Sequence, residues 1–249
     1  MKAQITLVGA GPGDIDLITL KGVNALKDAD VILYDALVNV KLLDYAPNAV
    51  KIFVGKRLGN KSNTQDEINK LLVTAAQKYG HAVRLKGGDS FVFGRGYEEL
   101  TYAEKFGITT KIIPGISSSI AVPALAGIPV THRGISNSFH VVSATLANGK
   151  LNPELQLIAK VDGTVVILMG LSKLNEIVHV YETIGKQTTD IAIISKGSLP
   201  SQQVITGQIS TIKSVYEHNK VPAPAVIVIG EVVGLRAKQR LEQLAYSLQ

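Results

Sequence analysis

Two glycine-rich segments carry charged side chains where an α/β protein places its ligands, directly after predicted strands. The longer segment spans residues 83–99 and has the sequence VRLKGGDSFVFGRGYEE. A connection between a strand and a helix needs only about 2–6 residues, whereas this one holds four glycines and charges of both signs. Because backbone without side chains can approach a ligand closely, we expect this segment to line a binding site.

The shorter segment, residues 8–14, has the sequence VGAGPGD and follows the first predicted strand. Together with Asp35, which ends the second predicted strand, it suggests a dinucleotide site with a ribose-binding carboxylate. Three details argue against a dinucleotide. The spacing is G-x-G-x-G, Pro12 has no amide hydrogen for a phosphate, and Asp14 would repel a pyrophosphate. The loop is therefore predicted to hold a ligand without phosphate, or to be a tight turn only.

The overall charge of the chain favours an anionic partner. The 249 residues carry a formal net charge of +6. Lysine and arginine form no dense run, and aromatic residues make up 5% of the chain, which is poor material for stacking nucleic-acid bases. A small polyanionic substrate explains the charge equally well, as does a basic surface kept for solubility. We therefore expect no nucleic-acid partner.

Cysteine and histidine offer little material for metal or redox chemistry. The chain has no cysteine, which excludes disulfides, thiolate catalysis and zinc–thiolate sites. The five histidines are scattered without ligand spacing, so we predict no metal. No apolar run reaches the length of a membrane span, and the first predicted strand begins so close to Met1 that we expect no signal peptide. These features favour a cytoplasmic protein without a membrane partner.

Strand-like and helical segments alternate in the first half of the chain. The strand-like runs are residues 5–8, 31–34, 50–54, 82–85 and 109–113. The clearest helix is predicted over residues 65–78, because Thr64 and Glu67 stand at capping-box spacing. Strands separated by helices predict a five-stranded parallel sheet covered on both faces, and hence an α/β domain over residues 1–113.

A change in composition after Ile113 marks the predicted domain boundary, where Pro114 and Gly115 are followed by serines and further prolines. The second predicted domain, residues 114–249, has strand candidates at residues 139–143, 165–169, 191–195, 203–206 and 225–229. The fourth candidate follows the third without room for a crossover helix. We therefore predict a second α/β domain with a mixed sheet.

Seven short motifs, taken in order, resemble the uroporphyrinogen-III C-methyltransferases, a family within the tetrapyrrole methylases. They lie at residues 8–14, 34–38, 54–57, 83–99, 114–117, 127–133 and 169–171, so the resemblance covers nearly the whole chain. The sequence departs from the family pattern at Ser90, where proline is usual, and at Tyr97, where glycine is usual. The departures affect loop shape and leave the polar residues in place.

The resemblance implies a homodimer of subunits with two α/β domains, and S-adenosylmethionine in the cleft between the domains. It implies methylation of two ring carbons of uroporphyrinogen III to give precorrin-2, on the routes to sirohaem or cobalamin. S-adenosylmethionine has no phosphate, which agrees with Pro12 and Asp14 in the first loop. The eight carboxylates of uroporphyrinogen suit the basic chain.

The resemblance also implies roles for particular residues. Those placed against the cofactor are Pro12, Gly87, Gly88, Asp89, Val92, Ser117, Ser118, Met169 and Gly197. Those placed against the substrate are Arg95, Glu98 and Met169. Asp35 is implied as the base of the proton step and Lys56 as an acid or carboxylate clamp, while Arg95 is the alternative group for managing the proton.

Three other functions stay open at this point. The nearest is a tetrapyrrole methylase that acts on a later precorrin. A nucleic-acid methyltransferase of the same fold would need an exposed basic track and would bind RNA with a steep salt dependence. A tetrapyrrole-binding module without catalysis is disfavoured by the presence of Asp35, Lys56, Asp89 and Arg95.

Overall fold

Two separate β-sheets organise the chain, which a computed structural model describes over residues 2–55 and 64–236. The two units that contain them divide between Ser117 and Ser118. In chain order the first unit contains β1 (Gln4–Gly9), α1 (Leu20–Lys27), β2 (Val31–Tyr34), β3 (Val50–Phe53), α2 (Gln65–Tyr79), β4 (His81–Lys86), α3 (Gly96–Glu104) and β5 (Thr109–Ile113). Short 3₁₀ turns occupy Ile15–Leu17 and Val40–Tyr45. The predicted strands of this half are confirmed.

The sheet of the first unit is parallel, as predicted. Its strands, within the described ranges, run in the order β3-β2-β4-β1-β5, and each neighbouring pair is parallel. The carboxyl ends of such strands meet at one edge, so the segments that follow β1, β2, β4 and β5 leave the sheet on the same side. Apolar clusters cover both faces, one with Leu7 and Leu33 and the other with Val8 and Ile32. This double coverage is typical of parallel sheets.

The helix α2 begins where the capping-box spacing predicts. Thr64 Oγ1 accepts a hydrogen bond from Glu67 N at 3.2 Å, and Glu67 Oε2 accepts one from Thr64 N at 2.7 Å. Two amides that have no partner within the helix are thereby satisfied. The helix ends at Tyr79, and Gly80 follows with a φ of 110°, which a residue with a side chain rarely adopts.

The second unit contains a mixed sheet, which confirms the prediction. Its elements are α4 (Ser118–Leu125), β6 (Phe139–Ser143), α5 (Leu155–Ile158), β7 (Thr164–Leu168), α6 (Leu174–Thr183), β8 (Asp190–Ser195), β9 (Gln203–Gln208), α7 (Ile212–Asn219) and β10 (Ala225–Ile229). In the described part of the chain the strand order is β6-β7-β10-β8-β9. Only the β6–β7 pair is parallel among these pairings, and β8 returns directly into β9. No helix in the described ranges is long and apolar enough to cross a membrane.

Candidate active site

The two glycine-rich segments lie side by side at the carboxyl edge of the parallel sheet. Gly88 N donates to Gly11 O at 2.7 Å, and Gly11 N donates to Gly88 O at 3.2 Å. The loop after β2 joins them, because Asn39 Nδ2 donates to Gly13 O at 2.8 Å. Three loops that are distant in the sequence thus form one continuous surface of the first unit.

A junction of three glycines leaves no space for side chains beneath these loops. A Cβ atom on Gly115 would lie 2.3 Å from Gly88 O and 2.6 Å from Gly9 Cα. A Cβ atom on Gly87 would lie 2.7 Å from Leu37 Cβ. Gly88 also has a φ of 66°, in the left-handed region that favours glycine. Glycine is therefore required at positions 87 and 115 by close packing, and it is favoured at position 88 by the backbone conformation.

Asp89 connects its own loop to the loop that follows β5 and retains capacity to bind a cation. Its Oδ1 accepts a hydrogen bond from Phe91 N at 2.8 Å, and its Oδ2 accepts one from Gly115 N at 2.9 Å. An ionised carboxylate can accept about four hydrogen bonds. The half-buried Asp89 can therefore also accept from the ammonium group of a ligand. This donor and acceptor arrangement fits S-adenosylmethionine, which has an ammonium group and no phosphate.

Arg95 and Glu98 form an exposed ion pair where α3 begins. Arg95 Nε donates to Glu98 Oε1 at 2.9 Å, and Arg95 Nη2 donates to Glu98 Oε2 at 2.5 Å. These hydrogen bonds raise the pKa of Arg95 and lower the pKa of Glu98. Exposed ion pairs contribute only about 0–1 kcal/mol to stability. The pair can therefore open at little cost when carboxylates of a ligand compete for the guanidinium.

The backbone of Arg95 is held in an unusual conformation. Its φ is 58°, in the left-handed region, which costs a residue with a side chain roughly 1–2 kcal/mol. Such residues cluster at ligand sites because the surrounding structure must hold them there. The conformation of Arg95 therefore agrees with its predicted place at the site.

Asp35 follows β2 and has a partner that the sequence did not reveal. Its Oδ1 accepts a hydrogen bond from Leu37 N at 3.1 Å. Its Oδ2 lies 3.6 Å from Nη2 of Arg84, and the Asp35 side chain is 24% exposed. The carboxylate is thus oriented on one side by the protein and accessible on the other, as a base that acts on a ligand must be.

A buried group of charges behind the glycine loops was missed in the sequence. Arg84, Lys86 and Glu99 are all buried, and Glu99 Oε1 accepts hydrogen bonds from Arg84 Nε at 3.2 Å and from Lys86 Nζ at 3.0 Å. Burial and the charge of Arg84 lower the pKa of Lys86, against the opposing effect of Glu99. The sequence did contain a signal for this group. Arg84 and Lys86 are two residues apart in a strand, so both lie on the same face, and two buried cations there require an acidic partner.

Three further predicted residues of the first unit lie in the segments that follow β1, β4 and β5. Pro12 is half-buried between Gly11 and Gly13, and Val92 is half-buried in the segment between β4 and α3. Ser117 ends the first unit and is the last residue of the loop that follows β5. Lys56 lies outside the described residues. The roles of these residues stay predictions.

Two of the predicted residues of the second unit, Met169 and Gly197, lie at the same edge of its sheet. Met169 follows β7, and Gly197 lies just after β8. Both strands run antiparallel to β10, which lies between them, so their carboxyl ends share an edge about 10 Å apart. A Cβ atom on Gly197 would lie 2.4 Å from Cγ1 of Val122, on the helix that begins with Ser118.

Met169 and the two neighbours of Gly197 depart from ordinary backbone geometry. Met169 has a φ of 55° and is 52% exposed, and the residues on either side of Gly197 have φ values of 47° and 68°. Side chains in this conformation are held by their surroundings, often at ligand sites. Across residues 2–55 and 64–236 there is no cluster of histidine and acidic side chains that could hold a metal ion.

Ser90→Ala is expected to stabilise the protein by about 1 kcal/mol, because an unpaired buried hydroxyl group costs about 1–3 kcal/mol. Ser90 is fully buried, and its Oγ has no hydrogen-bond partner among the described residues. Urea unfolding measures the effect. Ser136→Ala is the matched control and should lower stability, since Ser136 Oγ donates to Ser138 O at 2.9 Å. Equal losses of stability in both variants would contradict the prediction.

The fold and the site define a class of α/β proteins with glycine-rich loops packed together at the carboxyl edge of a parallel sheet. The sequence profile of the Tetrapyrrole (Corrin/Porphyrin) Methylases matches residues 4–213. The chain therefore belongs to the tetrapyrrole methylases, which confirms the resemblance seen in its motifs.

Within this family, the chain is similar to individual enzymes and to solved structures. The uroporphyrinogen-III C-methyltransferase of Methanocaldococcus jannaschii is 46% identical over 96% of this chain and 100% of its own length. A siroheme synthase of Actinobacillus pleuropneumoniae is 45% identical over 94% of this chain, which spans 48% of that longer protein. Among solved structures, a uroporphyrin-III C-methyltransferase from Thermus thermophilus complexed with S-adenyl homocysteine has a TM-score of 0.79 and 36% identity, with 93% of this chain and 99% of that chain covered.

Proposed function

We propose that the protein transfers methyl groups from S-adenosylmethionine to two ring carbons of uroporphyrinogen III, giving precorrin-2. The similarity to the Methanocaldococcus jannaschii enzyme over the full length of that protein carries this proposal. A cytoplasmic homodimer, and use of the product for sirohaem or cobalamin, belong to the same proposal. The site residues support it through the chemistry that each can perform.

The cofactor is proposed to lie against the glycine loops of the first unit. S-adenosylmethionine supplies a methyl group on a sulfonium, which needs no metal or covalent nucleophile for activation. Gly87 and Gly88 allow close approach of the backbone, Asp89 accepts hydrogen bonds from the ammonium group, and Val92 gives apolar contact. The other residues proposed for cofactor contact are Pro12, Ser117, Ser118, Met169 and Gly197.

The substrate is proposed to be held through its carboxylates. Arg95 presents a planar guanidinium that matches a carboxylate with two parallel hydrogen bonds. Each hydrogen bond to a charged group contributes roughly 1.5–3 kcal/mol, so a few of them select a polyanionic ring over a neutral one. Glu98 holds Arg95 in the absence of substrate, and Met169 is proposed to contact the ring.

Two tasks of the protein accelerate the reaction. Positioning of the pyrrole carbon in line with the methyl group can lower the barrier by roughly 7–11 kcal/mol. The proton lost from the ring after methyl transfer is proposed to go to Asp35, which is oriented by Leu37 N and partly exposed. Lys56 is proposed as an acid or carboxylate clamp, and Arg95 is the alternative for the proton step.

Incubation with uroporphyrinogen III and methyl-labelled S-adenosylmethionine tests the function. Mass analysis should show a product with two added methyl groups, and calorimetry should show binding of S-adenosylmethionine or S-adenosylhomocysteine but not of NAD. NAD is the appropriate competitor because Pro12 and Asp14 disfavour a pyrophosphate. Tight NAD binding would overturn the cofactor assignment. If a later precorrin or RNA is methylated and uroporphyrinogen III is unchanged, the assignment of the substrate is wrong.

A further inference from the structure

Glu99 is the centre of a buried charge network in the first unit. It lies in the first turn of α3, and its side chain is 0% exposed. Its Oε1 accepts hydrogen bonds from Gln65 Nε2 at 3.2 Å, Arg84 Nε at 3.2 Å and Lys86 Nζ at 3.0 Å. A buried carboxylate is unfavourable unless it is paired. The two cations of β4 and this carboxylate therefore depend on one another for their positions.

Arg84 extends this network to Asp35. Its Nη1 donates to the carbonyl oxygens of Leu33 at 3.3 Å and Leu85 at 3.0 Å, while Nη2 lies 3.6 Å from Asp35 Oδ2. Each nitrogen of the planar guanidinium thus has a partner on a different side. Because the Arg84 side chain is 3% exposed, water is a poor substitute for any of them. The guanidinium cannot turn without breaking several hydrogen bonds at once.

The exposure of these side chains distinguishes a residue that can contact a ligand from residues that can only hold it in position. Asp35 is 24% exposed and can meet a ligand, whereas Arg84 and Glu99 are 3% and 0% exposed and cannot. The backbone amide of Leu37 holds Oδ1 of Asp35, and Arg84 lies beside Oδ2. A displacement of about 1 Å in a reacting group can cost on the order of 10²-fold in rate. If Arg84 no longer held Oδ2 of Asp35 in place, turnover should therefore fall.

We propose that Glu99 is a positioning residue, which holds Arg84 so that its guanidinium fixes the carboxylate of Asp35 for the proton step. This inference rests on the proposed function, in which Asp35 acts on the substrate. Glu99 itself touches neither substrate nor cofactor. Its influence passes through Arg84, from α3 across β4 to the residue that follows β2.

Glu99→Gln tests the proposal, because it keeps the shape of the side chain and removes the charge that attracts Arg84. We expect kcat to fall on the order of 10–10²-fold, with KM and S-adenosylhomocysteine affinity changed by no more than about 3-fold. Glu104→Gln is the matched control on the same helix, since Glu104 is exposed and its side chain accepts a hydrogen bond from Thr110 Oγ1 at 2.6 Å, outside the buried network. The control should stay within about 2-fold of the original protein.

A double-mutant cycle with Asp35→Asn separates positioning from general stability. If Glu99 acts through Asp35, adding Glu99→Gln to Asp35→Asn lowers kcat by less than about 3-fold further. Full additivity of the two losses would overturn the proposal. If Glu99→Gln does not fold, Arg84→Lys replaces it in the cycle, because lysine can pair with Glu99 or with Asp35 but cannot bridge both.

A crystal structure of the Glu99→Gln variant gives a result that does not depend on the reaction. The separation of Arg84 Nη2 and Asp35 Oδ2, now 3.6 Å, is expected to lengthen as the guanidinium loses its anchor. An unchanged separation would overturn the inference. If the original protein does not methylate uroporphyrinogen III, the proposed function fails, and the crystal structure still decides whether Glu99 controls the position of Arg84.

Discussion

Asp35→Asn is expected to lower turnover about 10²–10⁴-fold while the affinity for S-adenosylhomocysteine stays within a few-fold. The amide keeps the size of the side chain and can still accept from Leu37 N, but it cannot take up a proton. The Asp35 side chain is partly exposed, and the neighbouring Arg84 is held by other partners. The substitution should therefore leave the surrounding loops in place. Steady-state kinetics, calorimetry and thermal unfolding measure the three quantities.

The control for this substitution is Asp44→Asn, an exposed aspartate in the connection between β2 and β3. Turnover of this control should match that of the original protein. Near-normal turnover in Asp35→Asn, with affinity unchanged, would contradict the role of Asp35 as base and assign the proton step to Arg95 or to solvent. A parallel fall in turnover, cofactor affinity and thermal stability would show that Asp35 only holds the loop.

Gly115→Ala is expected to lower the free energy of unfolding by about 3 kcal/mol, at the upper end of the range for overpacked sites. The added Cβ atom would lie 2.3 Å from Gly88 O and 2.6 Å from Gly9 Cα. These atoms belong to the backbone of the loop after β4 and of the end of β1, and they cannot move aside as a flexible side chain can. Affinity for S-adenosylhomocysteine should fall as well, because the longer glycine segment must shift. Urea unfolding and calorimetry give the two values.

Gly107→Ala separates steric overlap from backbone strain. Gly107 has a φ of 70°, and no neighbouring atom lies within 4 Å of the position that the Cβ atom of alanine would take. Strain alone should cost roughly 1–2 kcal/mol there, with cofactor affinity unchanged. A loss in Gly115→Ala no larger than the loss in Gly107→Ala would contradict a tightly packed glycine junction.

Local patterns in the sequence were sufficient to predict the strands, the helix α2 and the class of each sheet. The helix α2 follows its capping box because Thr64 and Glu67 satisfy amides within a single turn. The strands follow apolar runs, and the alternation of strands and helices leads to the parallel sheet of the first unit. The antiparallel return of β8 into β9 follows from the short connection between them. Each of these features depends on residues that are near one another in the chain.

Within the candidate site, the sequence indicated which segments matter and left their mutual contacts undetermined. The glycine loops, Asp35 and Arg95 stand out through residue type and position after strands. The partner of Arg95 was also within reach, since Glu98 is one helical turn away. The roles proposed for these residues rest on the family resemblance, and the kinetics of the Asp35→Asn variant test the role of Asp35.

The buried network and the glycine junction were decided by tertiary structure alone. The strand order sets Leu33 beside Arg84 and Gly9 beside Lys86, although each pair is far apart in the chain. That register brings Glu99 over the two cations of β4 and Gly115 against Gly9 and Gly88. The sequence by itself determined the strands, the helix α2, their order along the chain and the family, because propensity, capping and motifs are local properties. The partners of Arg84 and the need for glycine at position 115 come from packing between distant segments, which no local pattern encodes.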